Sequence, residues 1–116
     1  MIIPLIIRIT MLTYGNVYTI CVTQNVKFPE VVTAQSVLET GWYKCKSCSL
    51  EKNNIFGFYS NRYLNFDHWI ESVMYYKKWQ DKYAPDLCTN DEYLLWLKDF
   101  GYFTDENYIN KINNIL

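Results

Sequence analysis

The fold is decided at residues 29–42, which read PEVVTAQSVLETGW. The leading proline suits the first turn of a helix, and the glutamate after it complements the positive end of the helix dipole. Gly41 fits the left-handed position that commonly closes a helix. We therefore expect a helix that begins at the proline and ends before Gly41. Its surface is apolar except for a narrow polar stripe of Gln35, Ser36 and Glu39.

Helical periodicity extends over most of the rest of the chain. The other predicted helices are residues 14–26, a long segment capped by Asp67 that fades near residues 83–85, a segment opened by a capping-box pattern at Thr89 and ended by Gly101, and a last segment capped by Thr104. Residues 42–66 lack this period, so we expect an irregular lobe with a short hairpin around residues 56–63. The predicted fold class is therefore mainly α, with about five helices.

Length and composition restrict the classes of function. The chain has 116 residues, 50% hydrophobic and 20% charged, which fits a single folded domain over residues 1–116 and excludes a disordered segment. The formal net charge of -1 argues against a nucleic-acid binder and against a polybasic membrane-surface protein. Eleven tyrosines and four tryptophans indicate a core with polar edges or a groove lined by flat amphipathic rings.

Residues 1–13 begin with an apolar run that Arg8 interrupts. The run is shorter than the ~18–20 residues that cross a bilayer, so we expect no stable membrane insertion. It also lacks a small-residue cleavage site, so an export signal is not clear. It fits equally a degenerate signal peptide, a non-native extension, or a segment packed on the domain.

The cysteines and the single histidine do not predict a metal site. Cys45 and Cys48 form one C-x-x-C pair, but no second pair of ligands follows at similar spacing, and His68 stands alone. We expect reduced thiols, with Cys21 and Cys88 buried as small apolar groups, and His68 at the surface. The sequence also lacks a glycine-rich phosphate loop, so we expect no organic cofactor.

Glu39 is the candidate with the most specific chemistry. It lies in the last turn of its helix, at the negative end of the dipole, and Trp42 follows closely enough to shield it from water. Both effects oppose ionisation, so we expect a raised pKa. A carboxylic acid that stays protonated near neutral pH is what a glycosidase uses as general acid, as lysozyme does. The alternative is a surface glutamate that happens to end a helix.

Three motifs in order support the first interpretation. They are AQSVLETGW at residues 34–42, NNIFG at residues 53–57, and GYFTDENY at residues 101–108. This triple resembles the bacterial and phage glucosaminidase family of peptidoglycan hydrolases, whose motifs run approximately A-Q-x-x-L-E-S-G-W, N-N-L-F-G and G-Y-A-T-D-P-x-Y. The resemblance spans residues 14–116.

The resemblance implies a lysozyme-like, mainly helical domain with a saccharide groove between two lobes, and the short segment after the second motif predicts an irregular or reduced β-lobe in this chain. It implies that Glu39 is the catalytic general acid and that no metal or organic cofactor takes part. Aromatic rings beside the groove would stack on the apolar faces of sugars. The candidate substrate-binding residues are Tyr102, Asn54, Phe56, Gly57, Trp42 and Tyr59.

The chain departs from the family pattern after the second motif. Many members carry a longer β-lobe there, with a second glutamate proposed to activate water, but residues 59–66 contain no acid. The candidates to replace it are Glu51, Asp67 and Asp105. A single acid suffices if the substrate's 2-acetamido group acts as nucleophile, or if the muramyl 6-hydroxyl attacks, as in lytic transglycosylases.

The expected function is therefore cleavage of peptidoglycan glycan strands by an endo-β-N-acetylglucosaminidase. A muramidase or lytic transglycosylase on the same substrate is one alternative, and a non-catalytic wall-binding or phage structural module is another. We expect the protein to act in the cell envelope or periplasm, or at a host cell wall to which a phage delivers it. Nucleic acid is not an expected partner, and protein partners are not predicted.

Overall fold

Helices dominate the part of the chain that the computed structural model describes, residues 11–116. In this range the α-helices are α1 (Tyr14–Thr23), α2 (Pro29–Thr40), α3 (Trp69–Tyr83), α4 (Asn90–Phe100) and α5 (Tyr108–Ile115). A 3-10 helix, Ser49–Lys52, and two short strands, β1 (Tyr59–Ser60) and β2 (Arg62–Tyr63), lie between α2 and α3. The predicted mainly helical class is confirmed. The apolar run predicted as a possible extension lies outside the described residues, apart from its last three positions.

Helix α2 occupies the centre of the fold. It packs against α1, α4 and α5, and residues 31–37 are all buried. Its predicted ends are confirmed, since Pro29 lies in the first turn and Gly41 closes the helix in the left-handed conformation, with φ 54°. Phe28 precedes the helix, and its ring stacks on Tyr93 of α4 with centroids 4.7 Å apart.

One hydrophobic core joins all five helices. Its buried members from the helices include Val17 and Cys21 of α1, Val31, Val32 and Ala34 of α2, Ile70, Val73 and Tyr76 of α3, Tyr93, Leu94 and Leu97 of α4, and Tyr108 and Ile112 of α5. Ile55 and Phe56 enter this core from the irregular lobe, so the lobe is fastened to the helical frame. Among the described residues, no helix is long and apolar enough to cross a membrane.

The start of α3 differs from the prediction. His68, and not Asp67, is the residue before the helix, since its Nδ1 accepts a hydrogen bond from the amide of Ile70 at 3.1 Å. Glu71 completes the cap by accepting from the amide of His68 at 3.0 Å. Asp67 is exposed, and His68 is half-buried and not a free surface residue. An imidazole can supply the acceptor that we expected from a carboxylate.

The two later helices give one confirmation and one correction. Thr89 caps α4 as predicted, with its hydroxyl accepting from the amide of Glu92 at 3.1 Å. Thr104 does not cap the last helix, which begins only at Tyr108. The carboxylate of Asp105 accepts a hydrogen bond from the amide of Asn107 at 2.9 Å. This bond closes a turn, and the helix begins only after that turn.

The β-lobe is reduced to a minimal hairpin, as predicted. The strands pair antiparallel with Tyr59 opposite Tyr63, and Asn61 makes the turn with φ 65°. Asparagine tolerates this left-handed conformation better than most residues. The ring of Tyr59 meets that of Tyr63 edge-on at 5.3 Å.

The cysteines differ from the expectation of four reduced thiols. Cys45 and Cys48 form a disulfide, with Cα atoms 6.0 Å apart, in the turn-rich segment after α2. Cys21 is buried as predicted, and burial raises the pKa of its thiol to about 12. Cys88 is exposed, so its predicted burial was wrong.

A buried polar network ties α2 to α3 and α4. The Tyr76 hydroxyl donates to Oε1 of Gln35 at 2.6 Å and lies 2.6 Å from the hydroxyl of Tyr93. Nε2 of Gln80 donates to the Tyr93 hydroxyl at 3.1 Å and to the carbonyl of Lys27 at 2.8 Å. Because these groups are cut off from water, each depends on its partner in the network.

The network predicts that removing the Tyr76 hydroxyl lowers the stability of the fold. We expect Tyr76→Phe to lower the free energy of unfolding by about 1–3 kcal/mol, because Gln35 and Tyr93 lose a partner where water cannot replace it. Urea unfolding measures the change. Tyr75→Phe is the matched control, since Tyr75 lies on the same helix and is 41% exposed. An equal or smaller loss in Tyr76→Phe than in the control would contradict this account.

Candidate active site

Two neighbouring cavities open beside the end of α2. The first, of about 350 Å³, is called here the Glu39 cavity. Its lining residues are Glu39, Phe56, Gly57, Phe58, Tyr59, Trp79, Phe100 and Tyr102. The second, of about 540 Å³, is called the side cavity. Its lining residues are Phe58, Tyr59, Ser60, Leu64, Tyr75, Lys78, Trp79, Lys82, Tyr83 and Phe100. The four shared aromatic residues make the two cavities parts of one groove.

The carboxyl group of Glu39 is pressed against the backbone of Gly57. A Cβ atom placed on Gly57 would lie 2.9 Å from Oε2 of Glu39, which is closer than real Cβ atoms approach other atoms. Gly57 also has φ +69°, a conformation that residues with a side chain rarely adopt. The backbone conformation therefore favours glycine here, and any side chain at this position would force the Glu39 carboxyl to move.

Asn54 holds the loop that carries Gly57. Its Nδ2 donates to the carbonyl of Phe58 at 2.8 Å and to that of Leu64 at 3.1 Å, and its Oδ1 accepts from the amide of Phe58 at 3.0 Å. The side chain is fully buried and does not line either cavity. Its place in the structure corrects the prediction that Asn54 contacts sugar, because its side-chain hydrogen bonds all go to the loop beside Glu39.

Tyr102 joins the third motif to the second. Its hydroxyl donates to the carbonyl of Phe56 at 3.2 Å, and its ring meets Trp79 edge-on at 5.5 Å. Burial raises the pKa of this phenol well above its ordinary range, and the nearby charge of Glu39 contributes to the shift. Tyr102 therefore lies beside Glu39 as a neutral phenol that fixes the loop and forms part of the cavity wall.

The environment of Glu39 agrees with the prediction of a raised pKa, but Trp42 is not the residue that buries the carboxyl. Burial raises the pKa of this carboxyl above its usual value. Trp42 does not supply that burial, since it is 55% exposed, packs near the ring of Tyr14 at 6.3 Å, and does not line the cavity. The shielding comes from Gly57 and the aromatic wall. The prediction that Trp42 shields Glu39 is therefore wrong, and Trp42, a predicted substrate-binding residue, lies outside the Glu39 cavity.

One protein family matches most of this chain. The sequence model of the glucosaminidase family, described as mannosyl-glycoprotein endo-beta-N-acetylglucosaminidase, matches residues 18–116. The chain belongs to this family. No curated protein and no solved structure matches the chain. The resemblance drawn from the three motifs is confirmed, and membership in the glucosaminidase family indicates a glycoside hydrolase that acts on a glycan.

Among the residues lining this glucosaminidase-family cavity, Glu39 is the single acid. Glu51 and Asp67 are both exposed and line neither of the two cavities. Asp105 lines a different cavity and pairs with Lys111 at 2.6 Å, and this hydrogen bond lowers the pKa of its carboxyl. None of the three candidates for a second acid is therefore placed beside Glu39.

The far wall of the cavity contains residues that the motifs did not reveal. Trp79 and Phe100 line both cavities, and their rings meet edge-on at 5.4 Å. The signal that was available is the spacing of Tyr75, Trp79 and Tyr83, which places three aromatic rings along one side of α3.

The donor set does not favour a metal ion. Within residues 11–116, no three His, Cys, Asp or Glu side chains group together as potential ligands. Phe56, Gly57 and Tyr59, which are candidate substrate-binding residues, line the Glu39 cavity and contribute one buried ring, one backbone surface and one ring that is 67% exposed. The site consists of one carboxyl, one phenol and an aromatic wall.

The contact between Glu39 and Gly57 predicts a selective effect. Gly57→Ala should reduce glycan hydrolysis by about 100-fold, because the new methyl group displaces the carboxyl from its position. Gly41→Ala is the matched control, since Gly41 has φ +54° and a Cβ there meets no atom within 4 Å. Both variants carry similar backbone strain, so thermal unfolding should shift by similar amounts. Equal activity in the two variants would contradict a positioning contact.

Proposed function

We propose that this protein is a peptidoglycan hydrolase that cleaves the glycan strand as an endo-β-N-acetylglucosaminidase, with Glu39 as general acid. One observation carries the proposal. A single shielded carboxyl, with a raised pKa, lies against Gly57 at the wall of an aromatic cavity. Together with family membership, this favours protonation of a glycosidic oxygen over any use of Glu39 in structure alone.

The reaction begins with proton transfer from Glu39. The protonated carboxyl donates to the glycosidic oxygen while the bond between that oxygen and the anomeric carbon breaks. A raised pKa keeps the proton on Glu39 at a pH where an exposed glutamate has lost it. The aglycone leaves as a free alcohol, and Glu39 becomes a carboxylate.

Departure of the aglycone needs a nucleophile at the anomeric carbon, and the lining of the Glu39 cavity offers no second carboxylate for this role. The carbonyl oxygen of the substrate's 2-acetamido group supplies it by bonding to the anomeric carbon, which gives a cyclic oxazolinium ion. Water then attacks the same carbon and reopens the ring. The Glu39 carboxylate takes the proton from that water, so the acid is restored and the configuration is retained.

The aromatic wall supports sugar binding. Phe58, Tyr59 and Trp79 line the cavity near the acid, and Tyr59 is largely open to solvent. Flat rings bury the apolar faces of pyranose rings while their hydroxyls stay hydrated. The groove continues beyond the acid into the side cavity, so it has room for more of a polymeric substrate than the reacting bond alone.

We further propose that the protein acts outside the cytoplasm, in the cell envelope or periplasm, or at a host wall reached by phage delivery. The Cys45–Cys48 disulfide supports this location, since disulfides persist in oxidising compartments. The substrate supports it as well, because peptidoglycan lies beyond the cytoplasmic membrane.

The lone acid also favours one second candidate, a lytic transglycosylase. In that reaction the muramyl 6-hydroxyl attacks the anomeric carbon and an anhydro sugar forms, so no second carboxylate is required. Mass spectrometry of digested peptidoglycan distinguishes the two. A reducing GlcNAc end supports our proposal, and an anhydro-MurNAc end or a reducing MurNAc end would replace it with a transglycosylase or a muramidase.

Glu39→Gln tests the assigned acid. We expect release of soluble muropeptides from purified walls to fall by at least about 1,000-fold, because the amide cannot donate the proton and general acid catalysis contributes roughly 10²–10⁴-fold. Glu51→Gln, which removes an exposed acid outside both cavities, should keep the parent rate. Binding to wall fragments without release by the parent protein would instead indicate a non-catalytic module.

The raised pKa of Glu39 also predicts a pH dependence of activity and stability. Activity should decline on the alkaline side with a midpoint above the ordinary glutamate value of about 4.3, as measured by kcat/KM against pH. The protonated acid stabilises the folded state relative to the carboxylate, so this contribution is complete below the unfolded pKa and is lost as pH rises through the folded pKa.

The stability part is read by comparison with the uncharged variant. Glu39→Gln should therefore gain stability relative to the parent protein as pH rises from 4 to 8, and chemical denaturation at each pH measures this difference. Glu51→Gln should show no such trend. A parent protein that becomes more stable than Glu39→Gln as pH rises would contradict burial as the cause.

A further inference from the structure

The side cavity is a lateral extension of the site. It is larger than the Glu39 cavity and shares the wall formed by Phe58, Tyr59, Trp79 and Phe100. A chain seated over Glu39 is therefore continuous with the side cavity. The space beyond the acid exceeds what the reacting bond itself requires.

The side cavity has a positive edge. Lys78 and Lys82 are exposed on successive turns of α3, and both line it. Asp81 is close in sequence, but it pairs with Lys77 at 2.8 Å. Within residues 11–116, neither Lys78 nor Lys82 forms an ion pair.

The surroundings of these lysines leave their charges available. The residues lining the side cavity include no aspartate and no glutamate. The ammonium group of Lys82 lies 5.1 Å above the ring of Tyr83, which holds it at the cavity. Glu71 lines a neighbouring cavity together with Lys78, but it does not line the side cavity, and its carboxylate accepts a hydrogen bond from the amide of His68. The edge is therefore suited to an anion.

The chemistry of the substrate restricts which anion can arrive there. The sugar rings of a peptidoglycan strand are neutral, and the lactyl carboxyl of each muramyl residue is consumed in the amide bond to its peptide. In the intact polymer, the carboxylates are thus carried by the stem peptides. These peptides branch from the strand, so a cavity that adjoins the Glu39 cavity is a place where one can bind.

We propose that the side cavity binds the acidic stem peptide of the glycan strand, with Lys78 and Lys82 contacting its carboxylates. This inference rests on the proposed function, because it assumes a strand seated over Glu39. It makes the domain selective for peptide-bearing strands over neutral chitin oligomers. In this arrangement the aromatic wall binds the sugars, and the two lysines bind the carboxylates of the stem peptide.

The double variant Lys78→Ala/Lys82→Ala tests the proposal on three substrates. On peptide-bearing strands we expect KM to rise roughly threefold to tenfold with kcat nearly unchanged, as fits the loss of two exposed charge contacts. On chitin oligomers, which carry no carboxylate, we expect no change. On amidase-treated strands, whose lactyl carboxyls are free again, we expect a smaller rise in KM than on peptide-bearing strands. The difference should shrink at high ionic strength, because screening weakens exposed charges.

Two control variants separate charge at this place from charge in general. Lys46→Ala/Lys98→Ala removes the same charge from exposed positions that do not line the side cavity, and it should keep the parent KM on every substrate. Lys78→Arg/Lys82→Arg should also keep it. An unchanged KM in Lys78→Ala/Lys82→Ala would overturn the proposal, and equal losses on peptide-bearing and peptide-free strands would overturn the assignment to the peptide.

A binding measurement keeps this test independent of catalysis. The three lysine variants are made in the Glu39→Gln background, and binding of soluble peptide-bearing fragments is followed by tryptophan fluorescence. The same threefold to tenfold loss is expected in Lys78→Ala/Lys82→Ala alone. If the parent protein hydrolyses no glycan while this lysine-dependent binding persists, the proposed function fails and the peptide site stands.

Discussion

The contact between the Glu39 carboxyl and the Cα of Gly57 is the constraint on which the rest of the site depends. It exists because α2 ends next to a loop whose backbone can approach without a side chain. The approach excludes water from one side of the acid and so contributes to the burial that raises its pKa. Asn54 fixes the loop from within, and Tyr102 fixes it through the carbonyl of Phe56.

The helical frame makes this contact reproducible. Gln35 lies one turn before Glu39 on the same polar stripe of α2, and its Oε1 accepts the hydroxyl of Tyr76 at 2.6 Å. That bond couples the rotation of α2 about its axis to the position of α3, which also carries Trp79 in the cavity wall. A polar network inside an apolar core thus fixes the acid and the wall in one arrangement.

What could be predicted from the sequence is what local signals specify. Helix α2 and its closure at Gly41 follow from the residues at its two ends, and the choice of Glu39 follows from the three motifs together with its place in the last turn. The predicted start of α3 was wrong because the imidazole of His68, and not the carboxylate of Asp67, caps the helix. The wall contributed by Phe100 could not be predicted, since it depends on how α4 packs against α3.

The reduced hairpin links two properties of the site that otherwise look unrelated. Each strand has only two residues, and the hairpin reaches the Glu39 cavity through Tyr59, so it contributes a ring and no carboxylate. The same brevity leaves the groove open toward Lys78 and Lys82, where a longer lobe would add chain. In the mechanism and the peptide site proposed above, the substrate's acetamido group replaces the missing acid and its stem peptide occupies the open side.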